Sequence, residues 1–178
     1  MAVSTGVDLR EAEPGEVPVL RRLMQLYLYE LGTLDGWDIG ADGLYGDAQR
    51  IENFWTEPER RSYLVRVDGA LAGFALVRRG TRFAGPAAHQ ISEFFILAKH
   101  RRRGIGAEVA RRLFDRFPGR WEVAQMLSNG PAQAFWRVVI GRYTDGRFED
   151  GERSLGTWRG RVQHFTGGAS SSRVGRST

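Results

Sequence analysis

The first half of the chain opens with apolar positions at a helical period. Residues 16–31, EVPVLRRLMQLYLYEL, bring apolar side chains back every three or four residues until Gly32. This pattern predicts an amphipathic helix that ends at Gly32, because a glycine commonly follows the last helical turn. The next stretch, TLDGWDIGADGLYGDAQ, is rich in Asp, Gly and aromatic residues and predicts an acidic loop. A short helix is expected after it, around 47–55.

A β-hairpin is predicted where two apolar, β-branched runs flank Asp68-Gly69. A type I′ turn needs positive φ at both central positions, and this dipeptide tolerates it. The elements expected after the hairpin are a mostly apolar strand at 89–98, an amphipathic helix at 105–117, a strand at 121–127, a helix from Pro131 to about Val139, and two antiparallel strands near 142–149 and 157–166.

This element order predicts a single mixed α/β domain over residues 1–166. The Gly/Ser-rich end, 167–178, is expected to be a flexible tail. A chain of 178 residues is long enough to bury a core. It contains no cysteine, which excludes disulfides, thiolate metal sites and a cysteine nucleophile. We find no signal-peptide pattern and no apolar run near the ~20 residues of a membrane helix, so a cytoplasmic protein without membrane contact is expected.

The formal net charge is +5, and Lys99 is the only lysine, so nearly all the positive charge is guanidinium. A nucleic-acid-binding protein is one interpretation of that charge. Such a protein needs a basic face or stripe, whereas here the arginines are spread along the chain among aspartates and glutamates. We therefore expect no nucleic-acid partner.

One segment departs from that scatter: residues 99–110, KHRRRGIGAEVA, lie between a predicted strand and a predicted helix. Glycine lets the backbone approach a ligand closely, and the first N–H groups of a helix have no internal partner. With the helix dipole and the arginines, this segment favours binding of an anion such as a pyrophosphate. The alternative is a basic turn with a solvated rim. The spacing fits neither a P-loop nor the dinucleotide fingerprint.

The pattern R-x-x-G-x-G, from Arg101 to Gly106, resembles the pyrophosphate signature of the GNAT superfamily of acyl-CoA-dependent N-acetyltransferases. A second segment, SNGPAQAFWRVVIGRY, is similar to a later motif of that family, in which Asn begins a helix carrying Ala and an aromatic pair. The residues that match this motif are Asn129, Ala132, Phe135 and Trp136. The resemblance covers roughly residues 7–166.

The resemblance implies a mostly antiparallel mixed sheet with helices on both faces and a V-shaped splay between strands 89–98 and 121–128. Acetyl-CoA would be the co-substrate, with no metal. Its pantetheine arm would lie in the gap, and its pyrophosphate on the loop. The implied coenzyme-binding residues are Phe95, Ile96, Leu97, Arg101, Arg102, Arg103, Gly104, Ile105, Gly106, Ala107 and Asn129.

The family reaction is direct attack of an amine on the thioester, which requires a base and a donor for the departing thiolate. Glu93 is the candidate base, since strand alternation would give it apolar neighbours on its own face: Ile91, Phe95 and Leu97. The alternative is a structural carboxylate. Trp136 stands where many members have a catalytic Tyr, and an indole N–H can only donate a hydrogen bond. Tyr143 is therefore a candidate donor, and Tyr27, Tyr29 and Tyr45 are others.

The acceptor site of this family is built by the N-terminal helix and the loop after it. The candidate acceptor-binding residues here are Tyr27, Asp35, Asp38 and Tyr45. Carboxylates beside aromatic rings would favour a cationic amine, although a solvated acidic loop has the same composition. A non-catalytic acyl-CoA sensor is the rival function within this fold. Members often pair their C-terminal strands across a dimer, which makes a homodimer an expectation.

Overall fold

The computed structural model describes residues 6–46, 54 and 56–168. The predicted short helix around 47–55, apart from residue 54, and the tail from residue 169 onward lie outside the described residues. Seven strands form one sheet in the order β1-β2-β3-β4-β5-β7-β6. The strands are β1 (Val7–Glu11), β2 (Arg60–Val67), β3 (Ala70–Arg79), β4 (His89–Ile96), β5 (Gly119–Met126), β6 (Glu149–Leu155) and β7 (Trp158–Gly167).

Three long helices cover the two faces of the sheet: α1 (Val17–Asp35), α2 (Ile105–Arg116) and α3 (Gly130–Thr144). The apolar stripe of α1, which includes Leu20 and Leu23, packs with Phe74 on one face. Residues of α2 and α3, such as Leu113 and Ile140, pack on the other. The mixed α/β fold with helices on both faces is therefore confirmed. Within the described parts of the chain, no helix combines the length and apolar composition needed to cross a membrane.

The V-shaped splay is present between β4 and β5. Neighbouring strands pair antiparallel throughout, except that β4 and β5 run parallel. Their ladder contains only the pairs His89–Trp121, Gln90–Glu122 and Ile91–Val123. Beyond these pairs the two strands diverge, and each leaves one backbone edge without a partner among the described strands.

The predicted hairpin is confirmed, with φ of 50° at Asp68 and 80° at Gly69. Several predicted boundaries are wrong. Helix α1 does not end at Gly32, which is buried inside it, but continues to Asp35 and is capped by Gly36 at φ 69°. Helix α3 continues through residues 142–144, where a strand was predicted, and β6 begins only at Glu149. Strand β1 was not predicted at all.

A β-bulge interrupts the alternation of β4. In the β3–β4 register, Leu76 faces Glu93 and Val77 faces Ile91, which leaves Ser92 without a partner. Ile91 consequently lies in the core on the α2–α3 side, whereas Phe95 lies in the core under α1. The prediction that Ile91 and Glu93 share a face is wrong, because the extra residue reverses the alternation between them.

Candidate active site

A cleft of about 670 Å³ opens where β4 and β5 diverge. Helix α1 forms one wall, and the start of α3 forms the other. Four of the candidate catalytic, coenzyme-binding and acceptor-binding residues line it: Tyr27, Glu93, Asn129 and Trp136. Asn129 also caps α3, because its Oδ1 accepts a hydrogen bond from the Ala132 N–H at 3.1 Å. The chain thus places the beginning of α3 against the open edge of β5.

The backbone of β4 that faces the gap belongs to Phe94 and Ile96. The Leu97 N–H donates to the Ala72 carbonyl of β3 at 2.8 Å, and a side chain at Gly73 would clash with the Phe95 carbonyl oxygen. Backbone groups of successive strand residues point to opposite neighbours. Phe95 and Leu97, two of the three predicted pantetheine contacts, therefore point their backbone groups at β3, and the groups that face the gap are those of Phe94 and Ile96.

The loop after β4 leaves the N-terminus of α2 open. A 3-10 turn, Ala98–His100, leads into residues with left-handed backbone at Arg102 (φ 58°) and Gly104 (φ 78°). Helix α2 begins at Ile105, and no side chain caps it. A Cβ on Gly106 would lie 3.2 Å from Cζ of Phe135, so the absence of a side chain there allows α2 to pack closely on the Phe135 ring of α3. The uncapped N–H groups of this turn can accept an anion.

The three consecutive arginines of the loop have different partners. Arg101 binds both carboxylate oxygens of Glu30, at 2.9 and 2.7 Å, and donates from Nε to the Ile96 carbonyl at 2.6 Å. Its guanidinium thus joins α1 to the end of β4. Arg102 and Arg103 are exposed, and neither forms an ion pair or hydrogen bond with any part of the chain that the structure describes. These two guanidinium groups are available to an anion at the α2 N-terminus.

Glu93 and Ser92 lie together at the point where the strands separate. Glu93 is half-buried, lines the cleft, and shares its sheet face with Leu76 and Phe95. The Ser92 hydroxyl is buried without a hydrogen-bond partner among the described residues. The bulge thus turns a carboxylate towards the α1 wall and leaves a hydroxyl beside it.

Of the chain's five tyrosines, Tyr27 lines the cleft and the other four do not. The Tyr143 hydroxyl donates to Asp115 at 2.9 Å and accepts from the Gly168 N–H at 3.1 Å. Its ring packs on Phe114, at the far end of α3 from the cleft. Proximity along the chain to Trp136 therefore does not bring the Tyr143 hydroxyl to the site. Tyr63 also lies away from the cleft, in the core on the α2–α3 side of the sheet, where burial raises its pKa to about 12.

Trp136 is buried at the base of the cleft among aromatic rings. Its ring centroid lies 5.0 Å from that of Phe94 and 4.9 Å from that of Phe135, both edge-to-face. Trp136 thus belongs both to the core and to the cleft lining.

The described aspartates of the acidic loop do not line the cleft, although Trp37 and Gly46 of the same loop do. Asp35 is the last residue of α1, and Asp38 is exposed in the loop after it. Tyr45 exchanges backbone hydrogen bonds with the Gln25 side chain and packs on Tyr29. Among the candidate acceptor-binding residues, only Tyr27 lines the cleft.

The sequence analysis missed a hydrogen-bonded polar chain at the floor of the cleft. Arg78 Nε donates to Gln90 Oε1 at 2.5 Å, and Gln90 Nε2 donates to Glu122 Oε1 at 3.3 Å. Glu122 is fully buried, and its Oε2 also accepts the N–H groups of Phe83 and Ala84, at 3.1 and 2.9 Å. Register between three strands assembles this chain, so no local motif could have revealed it.

A profile described as "Acetyltransferase (GNAT) family" matches residues 24–140. Among solved structures, an acetyltransferase from Thermus thermophilus is similar, with 19% identity and a TM-score of 0.67 over 93% of this chain and 99% of that one. A GNAT-family acetyltransferase from Streptococcus agalactiae has 16% identity and a TM-score of 0.70, over 90% and 95%. At these identities the likeness shows the fold alone. A search of curated proteins finds no match.

Proposed function

Because the chain belongs to the acetyltransferase (GNAT) family, we propose that it transfers the acetyl group of acetyl-CoA to a primary amine of a small molecule or peptide. The amine attacks the thioester directly in a ternary complex. The observation that carries the proposal is that β4 and β5 diverge directly beside an uncapped helix N-terminus. A slot for an extended chain and a site for its phosphates are thereby contiguous.

On the coenzyme side, the N–H groups of Gly104, Ile105, Gly106 and Ala107 would bind the pyrophosphate, assisted by Arg102 and Arg103. The backbone edges of Phe94 and Ile96 would hydrogen-bond the pantetheine arm, with Asn129 on the opposite side. Arg101 has a different task. Its bonds to Glu30 and to the Ile96 carbonyl hold the loop against α1 and β4, so it positions the loop rather than the ligand.

Glu93 is the proposed base. Its position beside the apolar side chains of Leu76 and Phe95, at the point of divergence, would put a carboxylate next to the reacting carbonyl. The proton lost by the attacking amine passes to Glu93, directly or through one water, while the C–N bond forms. The carbon–sulfur bond then breaks, and the sulfur takes up a proton.

Tyr27 is the proposed donor to that sulfur. It is the cleft's own tyrosine, and its ring lies 5.7 Å from that of Phe95 and 5.9 Å from that of Phe74. Trp136 can donate a hydrogen bond to the thiolate but cannot supply the proton. The two residues therefore divide the task that one tyrosine performs in many relatives.

The test measures acetyl transfer to a panel of primary amines. The reaction is monitored through release of the CoA thiol, and the product is identified by the mass of the acetylated amine. A thiol reagent suits this chain because it has no cysteine of its own. Glu93→Gln should lower kcat on the order of 10²-fold or more. Tyr27→Phe should lower kcat with little change in KM for acetyl-CoA, whereas Tyr29→Phe, an exposed tyrosine of the same helix, should not.

Acetyl-CoA binding without turnover of any amine would refute the enzymatic proposal. It would favour the non-catalytic acyl-CoA sensor that the tryptophan at position 136 also allows. Absence of acetyl-CoA binding would refute both, because each function depends on the same loop and the same gap.

A further inference from the structure

A row of polar side chains crosses six neighbouring strands, one on each strand, and four of its members line the cleft. The β-ladders bring these residues into a single row across the sheet, each opposite the next. All lie on the face that α1 covers, as the alternation from Leu76 and Phe74 requires. The row consists of Arg60, Arg78, Gln90, Glu122, His164 and Glu149.

The one fully buried carboxylate of this row is already satisfied. Besides two backbone N–H groups and Gln90, Glu122 has His164 Nε2 at 3.4 Å. Its contacts to Phe83 and Ala84 fix the β3–β4 loop against the sheet. As a result, Arg82 and Phe83 of that loop line the cleft, and the Phe83 ring packs 5.8 Å from Trp158.

Three guanidinium groups consequently converge on the cleft, from Arg60, Arg78 and Arg82. Arg60 and Arg78 use their Nε atoms for Glu57 and Gln90, both at 2.5 Å. Arg82 forms no ion pair or hydrogen bond with the residues that the structure describes. The described lining contains two carboxylates, Glu93 and the satisfied Glu122. Arg82 therefore brings to the cleft a positive charge that pairs with no described carboxylate, whereas the charge of Arg60 is paired with Glu57.

Relying on the proposed function, we infer that the acceptor is an amine that also carries an anionic oxygen group, a carboxylate or a phosphate. Arg82, which follows the Arg78 end of β3, binds the anion, since a guanidinium pairs with two such oxygens at once. The amine lies at Glu93, whose partner Leu76 is two residues from Arg78 on β3, about 7 Å along the strand.

The other side chains that line the cleft indicate the chemistry of the rest of the acceptor molecule. Aromatic and aliphatic side chains line the same cleft as Glu93 and the arginines: Leu28, Leu31, Phe54, Phe83 and Trp158. An apolar body fits this lining better than a polyamine. The acidic loop, which suggested a cationic acceptor in the sequence, does not line the cleft through Asp35 or Asp38.

The experiment compares amines that differ only in the anionic group. The pairs are phenylalanine with phenylalaninamide, and phosphoethanolamine with ethanolamine, with spermidine as the cationic arm. Two readouts are taken: kcat/KM from thiol release, and calorimetric binding to the CoA-loaded protein, which needs no turnover. The variants are Arg82→Ala and, as a matched control, Arg79→Ala, an exposed arginine next to Arg78 on the opposite face of β3.

The anionic member of at least one pair should have a kcat/KM, and a binding constant, about tenfold or more above its neutral partner. The pair that shows the preference distinguishes carboxylate from phosphate. Arg82→Ala should bring the ratio close to one, while Arg79→Ala should keep the ratio.

Equal or better use of the neutral amines or spermidine would overturn the inference, as would an Arg82→Ala variant that weakens every amine alike. Failure of the proposed function has a different signature. In that case no amine releases thiol, but calorimetry still ranks the pairs, and tighter binding of the anionic member supports the anion site on its own. Absence of binding by both members of each pair overturns it.

Discussion

Replacing Arg101 with alanine separates the structural role of the loop from its ligand-binding role. The substitution removes a two-pronged ion pair to Glu30, a hydrogen bond to the Ile96 carbonyl at 2.6 Å, and a guanidinium that stands 5.4 Å from the Phe95 ring centroid. The Arg101 and Glu30 side chains are 40% and 42% exposed, so the ion pair itself contributes less than about 1 kcal/mol. The hydrogen bond and the ring contact bring the loss to about 2 kcal/mol.

At this chain length a loss of that size lowers Tm by about 4–8 °C. The assay is thermal unfolding with and without acetyl-CoA, for Arg101→Ala and for Arg103→Ala. We expect Arg101→Ala to lower Tm of the ligand-free protein and to retain the increment that acetyl-CoA produces. Arg103→Ala should keep the ligand-free Tm, because Arg103 is exposed and has no described partner, and should reduce the increment. If Arg101→Ala leaves Tm unchanged and abolishes the increment, Arg101 contacts the ligand and our assignment is wrong.

Three further predictions concern stability. Gly104→Ala should lower the free energy of unfolding by about 1 kcal/mol, because φ is 78° at this position. Gly130→Ala is the control, because this site is unobstructed and has no positive φ, and it should leave that free energy unchanged. Urea unfolding measures both variants. Glu122→Gln should lower the free energy of unfolding by about 2–4 kcal/mol in the same assay, because the new NH2 group must face either the Phe83 and Ala84 N–H donors or the Gln90 Nε2 donor, and an unchanged midpoint would contradict this. Burial, with Arg79 nearby, lowers the pKa of His89, so the unfolded chain takes up this proton first and stability should fall as pH drops below about 6.5; His89→Gln should flatten that part of the profile.

Local patterns predicted the parts of the fold that local chemistry determines. The Asp68-Gly69 turn, helix α2 and the loop from Arg101 to Gly106 follow from turn preference, helical spacing and a short motif. The end of α1 does not, since Gly32 is retained inside the helix by packing: a Cβ there would lie 3.2 Å from Cε1 of Tyr45. Strand β6 is largely exposed and polar, and only its pairing with β7 makes it a strand.

The candidate site also contains residues that local patterns predict and residues that they do not. Glu93, Asn129 and Trp136 were singled out from the sequence and line the cleft, and the elements that carry them were recognised from local patterns. Ser92 carries the bulge that turns Glu93, and a single extra residue in a ladder leaves no periodic signature. The row through Arg78 and Glu122 arises from pairing of strands far apart in sequence, which no stretch of the chain reveals by itself.

Calorimetric titration of acetyl-CoA tests the central claim most directly. The wild-type chain and the Arg102→Ala/Arg103→Ala double variant would be compared, with unfolding curves to establish that both are equally folded. Our account predicts one site per chain in the wild type and an affinity lower by about tenfold or more in the variant. No binding by the wild-type chain, or the same affinity in both proteins, would contradict the assignment of the loop and the gap as the coenzyme site.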